Sequence, residues 1–547
     1  MPPSPTSSTM EDSIELSVGK RVHASGDPRR IGTVRYVGAL EGYSGIWIGV
    51  DWDNGEGKHD GTVNGFKYFE AREDRSGSFM RLKKSLCSGV GFLDALKLRY
   101  LGDYTKEEED EMYVLSTRRN RISIQLVGKD KIQEKLNHFQ DLTSVSISYM
   151  GVSSTGPLHE IYAALPNLKE LNMAGNLLSN WQDVGAICVA LPLLEILDLT
   201  GSRLEQGIID LPLLMNIRIL VLNNCRISWK EVEILKKSIP MVEELHLIAN
   251  KLKTIMDFSS NSTANYITGF DSLKLLNLED NCIDSWDEIF KLCQLKRLEH
   301  LYLNKNKLKH IFYSQILNIP KDSEYHEKCM KPFKNLRCLL LGSNEIEDLS
   351  SIDSLNYFPN LVDVRISDNP ICDAAKGGIP RFNLIARLSK VDMLNGSEVS
   401  RRERKESEIR YVRLISSKVH VYNQEEIKEL HPRYCELKLL HGLDDEKPSV
   451  EVTGPKKMAS ELLSITLKCV GASFGEKAPL NKKLPPTTMV GKLKLLCESF
   501  FKLKAVKPKL FIEEEGSPFP TLLDDDMSSL ADFGICSGTT ILVDEEA

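Results

Sequence analysis

Hydrophobic positions in the middle of the chain fall in a fixed rhythm. The phrase L-x-x-L-x-L-x-x-N recurs at Leu168, Leu171, Met173 and Asn176, at Leu273, Leu276, Leu278 and Asn281, and at Leu336, Leu339, Leu341 and Asn344. With the weaker copies counted, its first apolar positions stand at 142, 168, 194, 217, 242, 273, 298, 336 and 361. Each period-2 stretch predicts one short strand, its residues facing alternately a core and an open surface. One unit alone cannot bury its Leu face, but stacked units share a continuous core, so nine copies predict a solenoid. The Asn positions are expected to bond the backbone of neighbouring units, whose turns leave buried amides needing partners. The two long spacings, 31 and 38, predict inserted loops near 253–270 and 309–332.

The period is that of leucine-rich repeats. Beyond Asn369-Pro370, the apolar residues Phe382, Ile385, Leu388, Val391 and Leu394 precede Asn395-Gly396 and the charged run Arg401-Arg402-Glu403-Arg404. This resembles the C-terminal cap of leucine-rich-repeat proteins, with Asn395 in the usual Asp place. Helices are predicted over 401–420 and 423–441.

Toward the N-terminus the pattern changes to short β stretches punctuated by glycine: Gly32-Thr33-Val34-Arg35-Tyr36, Gly45, Trp47-Ile48-Gly49-Val50, and Gly57-Lys58-His59-Asp60-Gly61. Phe66, Tyr68-Phe69, Gly77 and Phe79 complete it. Short strands with Gly turns predict a small barrel. Gly57 and Gly61 let backbone amides turn toward an anion as a carboxylate-holding nest. Lys58 and Lys67 supply positive charge, and Trp52, Phe66, Tyr68 and Phe79 wall an apolar slot. Residues 17–90 hold 12 Lys/Arg and 9 Asp/Glu, a local excess that favours an acidic ligand. The stretch resembles the CAP-Gly domain, with His59 where that family's G-K-N-D-G loop carries Asn. The resemblance implies a groove for acidic chain ends that finish in an aromatic residue, as on α-tubulin.

At the C-terminus, Leu463–Val470 alternates like a strand, and a helix is predicted over 488–503 with Val490, Leu493, Leu496 and Phe500 on one face. Leu510-Phe511-Ile512 and Thr540–Val543 are further strands. The phrase Leu530-Ala531-Asp532-Phe533-Gly534-Ile535 resembles the late loop of ubiquitin-like β-grasp domains. The ending Glu545-Glu546-Ala547 lacks the Gly-Gly needed for conjugation, which leaves a docking role, for a chaperone partner or the proteasome.

The whole chain, 547 residues with net charge −7, is too mildly charged for a protein that grips nucleic acid with its whole surface. No run of 18 apolar residues suggests a membrane span. The 12 cysteines form no CxxC pair and the 11 histidines no H-x-x-x-H spacing. Neither a metal, nor a cofactor, nor a catalytic nucleophile is expected, and the reading is non-enzymatic.

The predicted organisation is multidomain. A disordered arm (1–16) precedes a small all-β CAP-Gly barrel (17–90) and a linker with the solenoid's N-terminal cap (91–136). An α/β leucine-rich-repeat solenoid (137–368) follows, with its C-terminal cap and helices (369–442). A second linker (443–459) leads to an α+β ubiquitin-like β-grasp domain (460–547). Outward residues of the solenoid strands, Asn172, Asp198, His246, Asn277, Tyr302 and Arg365 among them, are expected to form a concave protein-binding surface. This order of modules is similar to the tubulin-folding cofactor E family. It implies a cytoplasmic, cytoskeletal chaperone that binds α-tubulin and, with other tubulin cofactors, assembles and dissociates the α/β-tubulin heterodimer. Two other functions fit the same modules: a CAP-Gly scaffold at microtubules, and a ubiquitin-pathway adaptor for the proteasome.

Overall fold

The computed structural model describes residues 16–81, 86–101, 113–115, 121–123, 138–204, 211–255, 266–311, 333–373, 378–418, 424–443, 462–470, 477–503, 507–513, 520–523, 526, 529–530, 533–535 and 537–545. The predicted N-terminal arm, both inserted loops over most of their length, and the 443–459 linker lie almost wholly outside them. The chain divides into two compact units, Met1–Thr263 with Thr268–Asn281, and Ala264–Ile267 with Cys282–Ala547.

In the first unit, strands Gly77–Arg81, Tyr43–Trp52, Asp27–Leu40, Arg21–Ala24 and Leu86–Cys87 form an antiparallel sheet in that spatial order. Val22, Val34, Ile48, Val50 and Trp52 fill its core. Val90–Gly91 then pairs in parallel with Val152–Ser154 and leads into helix Phe92–Tyr100, whose Phe92, Ala95 and Leu96 are fully buried.

The solenoid strands of this unit are Ser144–Ser146, Glu170–Asn172, Ile196–Asp198, Ile219–Val221, Glu244–His246 and Leu275–Asn277. They pair in parallel with Val145, Leu171, Leu197, Leu220, Leu245 and Leu276 in register, all buried. The opposite side carries helices that begin on a capped tryptophan. Asn180 and Ser228 accept from backbone amides three residues on, and Trp181 and Trp229 follow them into the core. Ser228 and Glu231 form a reciprocal capping box.

The asparagines act as expected. Asn281 Oδ1 accepts from the Asn250 and Leu252 amides at 3.0 Å, while its Nδ2 donates to the Leu247 and Leu278 carbonyls. Asn250 serves Cys225, Ile227 and Leu222 in the same way. Cys225, standing in one Asn place, donates its thiol to the Leu199 carbonyl. The residue before each ladder position adopts positive φ: Gly175, Gly201, Asn224, Ala249 and Asp280.

In the second unit, His300–Tyr302, Cys338–Leu340 and Asp363–Arg365 pair in parallel with one another, with Asn344 and Asn369 as ladder residues. Lys305, Ser343 and Asp368 supply the positive φ before Asn306, Asn344 and Asn369. Met393–Leu394 adds a last parallel strand, and Ser397–Glu398 turns back against it. Asn395 holds that turn by accepting from the Ile366 and Ser367 amides. Phe382, Ile385, Leu388, Val391 and Leu394 are buried, as predicted for a cap. Helix Arg401–Lys418 follows. The second predicted helix is broken into Gln424–Leu430 and Tyr434–Leu440, because Pro432 has no N–H to continue the ladder.

The C-terminal sheet has the order Leu480–Leu484, Leu463–Cys469, Thr540–Glu545, Pro508–Ile512 and Thr521–Leu522, with the first two hairpin-paired and the central pair parallel. Helix Val490–Phe501 packs on it, which is the β-grasp arrangement. Its buried face is Val490, Leu493, Cys497 and Phe501. The predicted face with Leu496 and Phe500 is displaced by one residue. Steps of three, four and four follow the 3.6-residue turn more closely, leaving Leu496 half-buried and Phe500 packed at the core's margin.

Candidate functional site

The Gly57–Gly61 loop lies against the turn that leads into strand Gly77–Arg81. The Gly57 amide donates to the Arg75 carbonyl at 2.5 Å, and the Lys58 and His59 amides donate to the Gly77 carbonyl at 2.7 and 3.2 Å. The Gly77 amide returns a bond to the His59 carbonyl at 2.8 Å. Glycine is required at both ends of the loop. A Cβ on Gly57 would stand 2.5 Å from the Gly77 carbonyl oxygen, and one on Gly61, at φ +98°, 2.1 Å from the Phe69 carbonyl oxygen.

These bonds correct the expectation of an amide nest. The Gly57, Lys58 and His59 amides are consumed by backbone carbonyls, and the Gly61 amide donates to His59 Nδ1 at 3.1 Å. What the loop offers an anion is side-chain charge, from the exposed Lys58 and Lys67, and the second nitrogen of His59. Because Nδ1 accepts, the neutral imidazole carries its proton on Nε2. Burial holds the His59 pKa below its usual value; neighbouring Asp60 opposes this and Lys58 adds to it. Asp60 is held below the usual carboxylate range by hydrogen bonds from Thr62, with Lys67 contributing.

Beside the loop is an aromatic cluster. His59 stacks on Phe79 with centroids 5.0 Å apart, and Tyr68 meets Phe79 edge-on at 5.6 Å. Tyr36 packs on both Tyr68 and Phe79, at 5.2 and 6.0 Å, and Phe69 closes the cluster from below. The Tyr68 hydroxyl accepts from the Glu41 amide, and the Tyr36 hydroxyl donates to the Ala39 carbonyl. Phe66 stands 54% exposed on the neighbouring hairpin.

Among the predicted groove residues, His59 and Tyr68 both pack on Phe79. Lys58, Asp60, Phe66 and Lys67 lie on the adjoining loop and hairpin. Trp52 is a correction: it is 2% exposed within the barrel core, so it supports the sheet and cannot wall a surface slot. Tyr36 and Phe69 are additions. Tyr36 sits opposite Gly49 in the strand pairing, and that register was the missing signal.

On the solenoid, Asn172, Asp198 and His246 are half-buried on the outward side of their strands, as are Tyr302 and, more exposed, Arg365 in the second unit. Asn277 is a correction, being 6% exposed with Oδ1 bonded to the Glu279 amide. Asn172 and Asp198 make the same bond, to the amides of Ala174 and Thr200, so these side chains brace the turn that follows their strand. Ile196, Ile219, Val221 and Leu275 share the outward face of the first unit, which is more apolar than expected. His246 Nε2 lies 3.5 Å from Glu244, and His300 meets Tyr302 edge-on at 6.3 Å.

Residues 18–85 match the CAP-Gly domain family. The chain is 56% identical, over 97% of its length and 98% of the other's, to tubulin-folding cofactor E of Arabidopsis thaliana. The chain belongs to the tubulin-folding cofactor E family. It is also 30% identical to tubulin-specific chaperone E of Danio rerio, over 97% of this chain and 99% of that one. The solved ubiquitin-like domain of mouse tubulin-specific chaperone e aligns with 17% of this chain and 96% of its own, at 25% identity and a TM-score of 0.15. Among the described residues, no helix is long and apolar enough to cross a membrane.

Proposed function

We propose that this chain is a tubulin-folding chaperone of the cytoplasm that takes the acidic, tyrosine-ending tail of α-tubulin in the barrel groove and the body of the subunit on the solenoid. With other tubulin cofactors it assembles and dissociates the α/β-tubulin heterodimer. The observation that carries this reading is the Tyr36–His59–Tyr68–Phe79 cluster beside exposed Lys58, Lys67 and Phe66, in a chain so similar to a tubulin-folding cofactor. An aromatic side chain finds apolar and edge-on partners there, and the chain-end carboxylate finds the lysines and the His59 Nε2–H.

Two weak contacts on one client act as one strong one, because the first fixes a high effective concentration for the second. Separating a dimer requires only that the chaperone bind the released subunit more tightly than the paired one. None of these steps asks for a bound cofactor or a covalent intermediate. The ubiquitin-like domain is a further docking surface, for a partner cofactor or for the proteasome.

The deciding experiment incubates the protein with purified heterodimer, intact or trimmed of its tails, followed by size-exclusion chromatography and by sedimentation with polymer. Loss of heterodimer that depends on the tail is expected. Co-pelleting with polymer and unchanged dimer content would replace this reading with that of a microtubule scaffold.

A further inference from the structure

In three consecutive repeats, the residue just after the ladder position is basic: Arg203 after Ser202, Arg226 after Cys225, and Lys251 after Asn250. These positions lie at one height on successive repeats and form a cationic stripe. All three meet acidic residues of the barrel. Arg203, 5% exposed, reaches the Asp53 carboxylate at 2.8 Å and also donates to the Asp53 carbonyl at 2.8 Å. Asp53 is bound at the same time by the buried Arg21, which ties it into the barrel. Arg226 and Lys251 converge on Glu73 at 3.2 and 3.5 Å, and the hydrogen bond from Arg226 holds the Glu73 carboxyl below its usual range.

Asp53 and Glu73 flank the segment that supports the groove loop. The Glu73 amide donates to Ser76 Oγ, and the Ser76 hydroxyl donates to buried Asp51. The Ser76 carbonyl accepts from Trp52, the Arg75 carbonyl from Gly57, and the Gly77 carbonyl from Lys58 and His59. The Glu73–Gly77 turn therefore links the two: the solenoid stripe holds its Glu73 carboxylate, and its Arg75 and Gly77 carbonyls hold the Gly57–Gly61 loop. Val90–Gly91 pairing with Val152–Ser154, and Arg29 over the Tyr149 ring at 5.6 Å, add contacts on the same side.

We infer that Arg203, Arg226 and Lys251 are positioning residues: the solenoid clamps the barrel through Asp53 and Glu73 and presets the groove loop for its ligand. The ligand half of this inference rests on the proposed tail-binding role; the clamp itself does not. The test uses the full chain with Arg226→Glu/Lys251→Glu, both outside the hydrophobic core, and a charge-swapped chain that adds Glu73→Lys. Hydrogen exchange at the amides of Gly57, Lys58, His59 and Gly77 reads the clamp, and affinity for an acidic peptide ending in Tyr reads the groove. The double variant is expected to exchange about fivefold faster at those amides, the change brought by losing exposed or half-exposed ion pairs, and to bind the peptide correspondingly more weakly. The swapped chain recovers both. Exchange that is unchanged in the double variant, or unrestored by the swap, overturns the clamp. Faster exchange with unaltered peptide affinity overturns the presetting of the groove. A wild-type chain that does not bind the peptide at all, with the exchange pattern as expected, overturns the tail-binding role and leaves the clamp standing.

Discussion

The Gly61 amide donates to Nδ1 of His59, and that bond exists only while the imidazole is neutral. Burial favours the same neutral form. The unfolded chain therefore takes up the His59 proton at a higher pH than the folded one. The histidine contributes stability at pH 7 that is lost as pH falls below about 6.5, where the unfolded imidazole begins to protonate. The melting temperature of the barrel is expected to hold steady from pH 8 to 7 and to fall from pH 6.5 to 5.5. His59→Asn, the residue usual in the family's loop, flattens that profile. Calorimetric melting of both proteins across this range checks it, and parallel profiles would remove the His59–Gly61 bond from the loop's stability.

Gly61→Ala forces a non-glycine residue to φ +98° with its Cβ 2.1 Å from a backbone oxygen. Loss of about 3 kcal/mol or more is expected, seen as a lower melting temperature of the barrel. Gly65→Ala, at φ +83° with open space around it, separates the two causes, since it carries the conformational penalty without the clash and should cost about 1 kcal/mol.

Trp52 and Phe66 divide structural from surface aromatics. Trp52→Ala is expected to cost about 3–5 kcal/mol of stability in denaturant unfolding, because it empties the barrel core. Phe66→Ala changes stability by less than about 0.5 kcal/mol and weakens the peptide instead. Equal destabilisation by both would contradict the placement of Phe66.

Asn281→Ala removes a side chain that pairs two buried amides and two carbonyls. The two amides left unpaired cost about 1–3 kcal/mol each, so a loss of about 2–6 kcal/mol is expected in urea unfolding. Asn281→Asp keeps the two accepted bonds but cannot donate, and should fall between the wild type and Asn281→Ala.

The solenoid was readable because its signal is redundant: nine copies of one phrase fix strand, core residue and ladder residue at once. The ladder asparagines, the Asn395 turn and the buried cap positions from Phe382 to Leu394 stand where the phrase puts them. The groove was readable only in part. Glycine and lysine in the Gly57–Gly61 loop announce a constrained, cationic turn, but not which carbonyls take its amides, since Arg75 and Gly77 come from a later segment. Trp52 and Phe79 look alike in sequence, and only strand register shows that one faces inward. The helix face at Val490 was misjudged by one residue because Leu496, Cys497, Phe500 and Phe501 are all apolar, so composition alone does not orient it.

The run of left-handed backbone positions ahead of the ladder constrains inheritance as well as folding. Tyr, Gly, Gly, Asn, Ala, Asp, Lys, Ser and Asp occupy those nine places in order from Tyr149, ahead of Met150 in the first repeat, to Asp368, with no β-branched residue among them. Side-chain chemistry is almost free there, while branching at Cβ is penalised. A missense change to valine or isoleucine at any of these sites would thus be a folding lesion disguised as a conservative one.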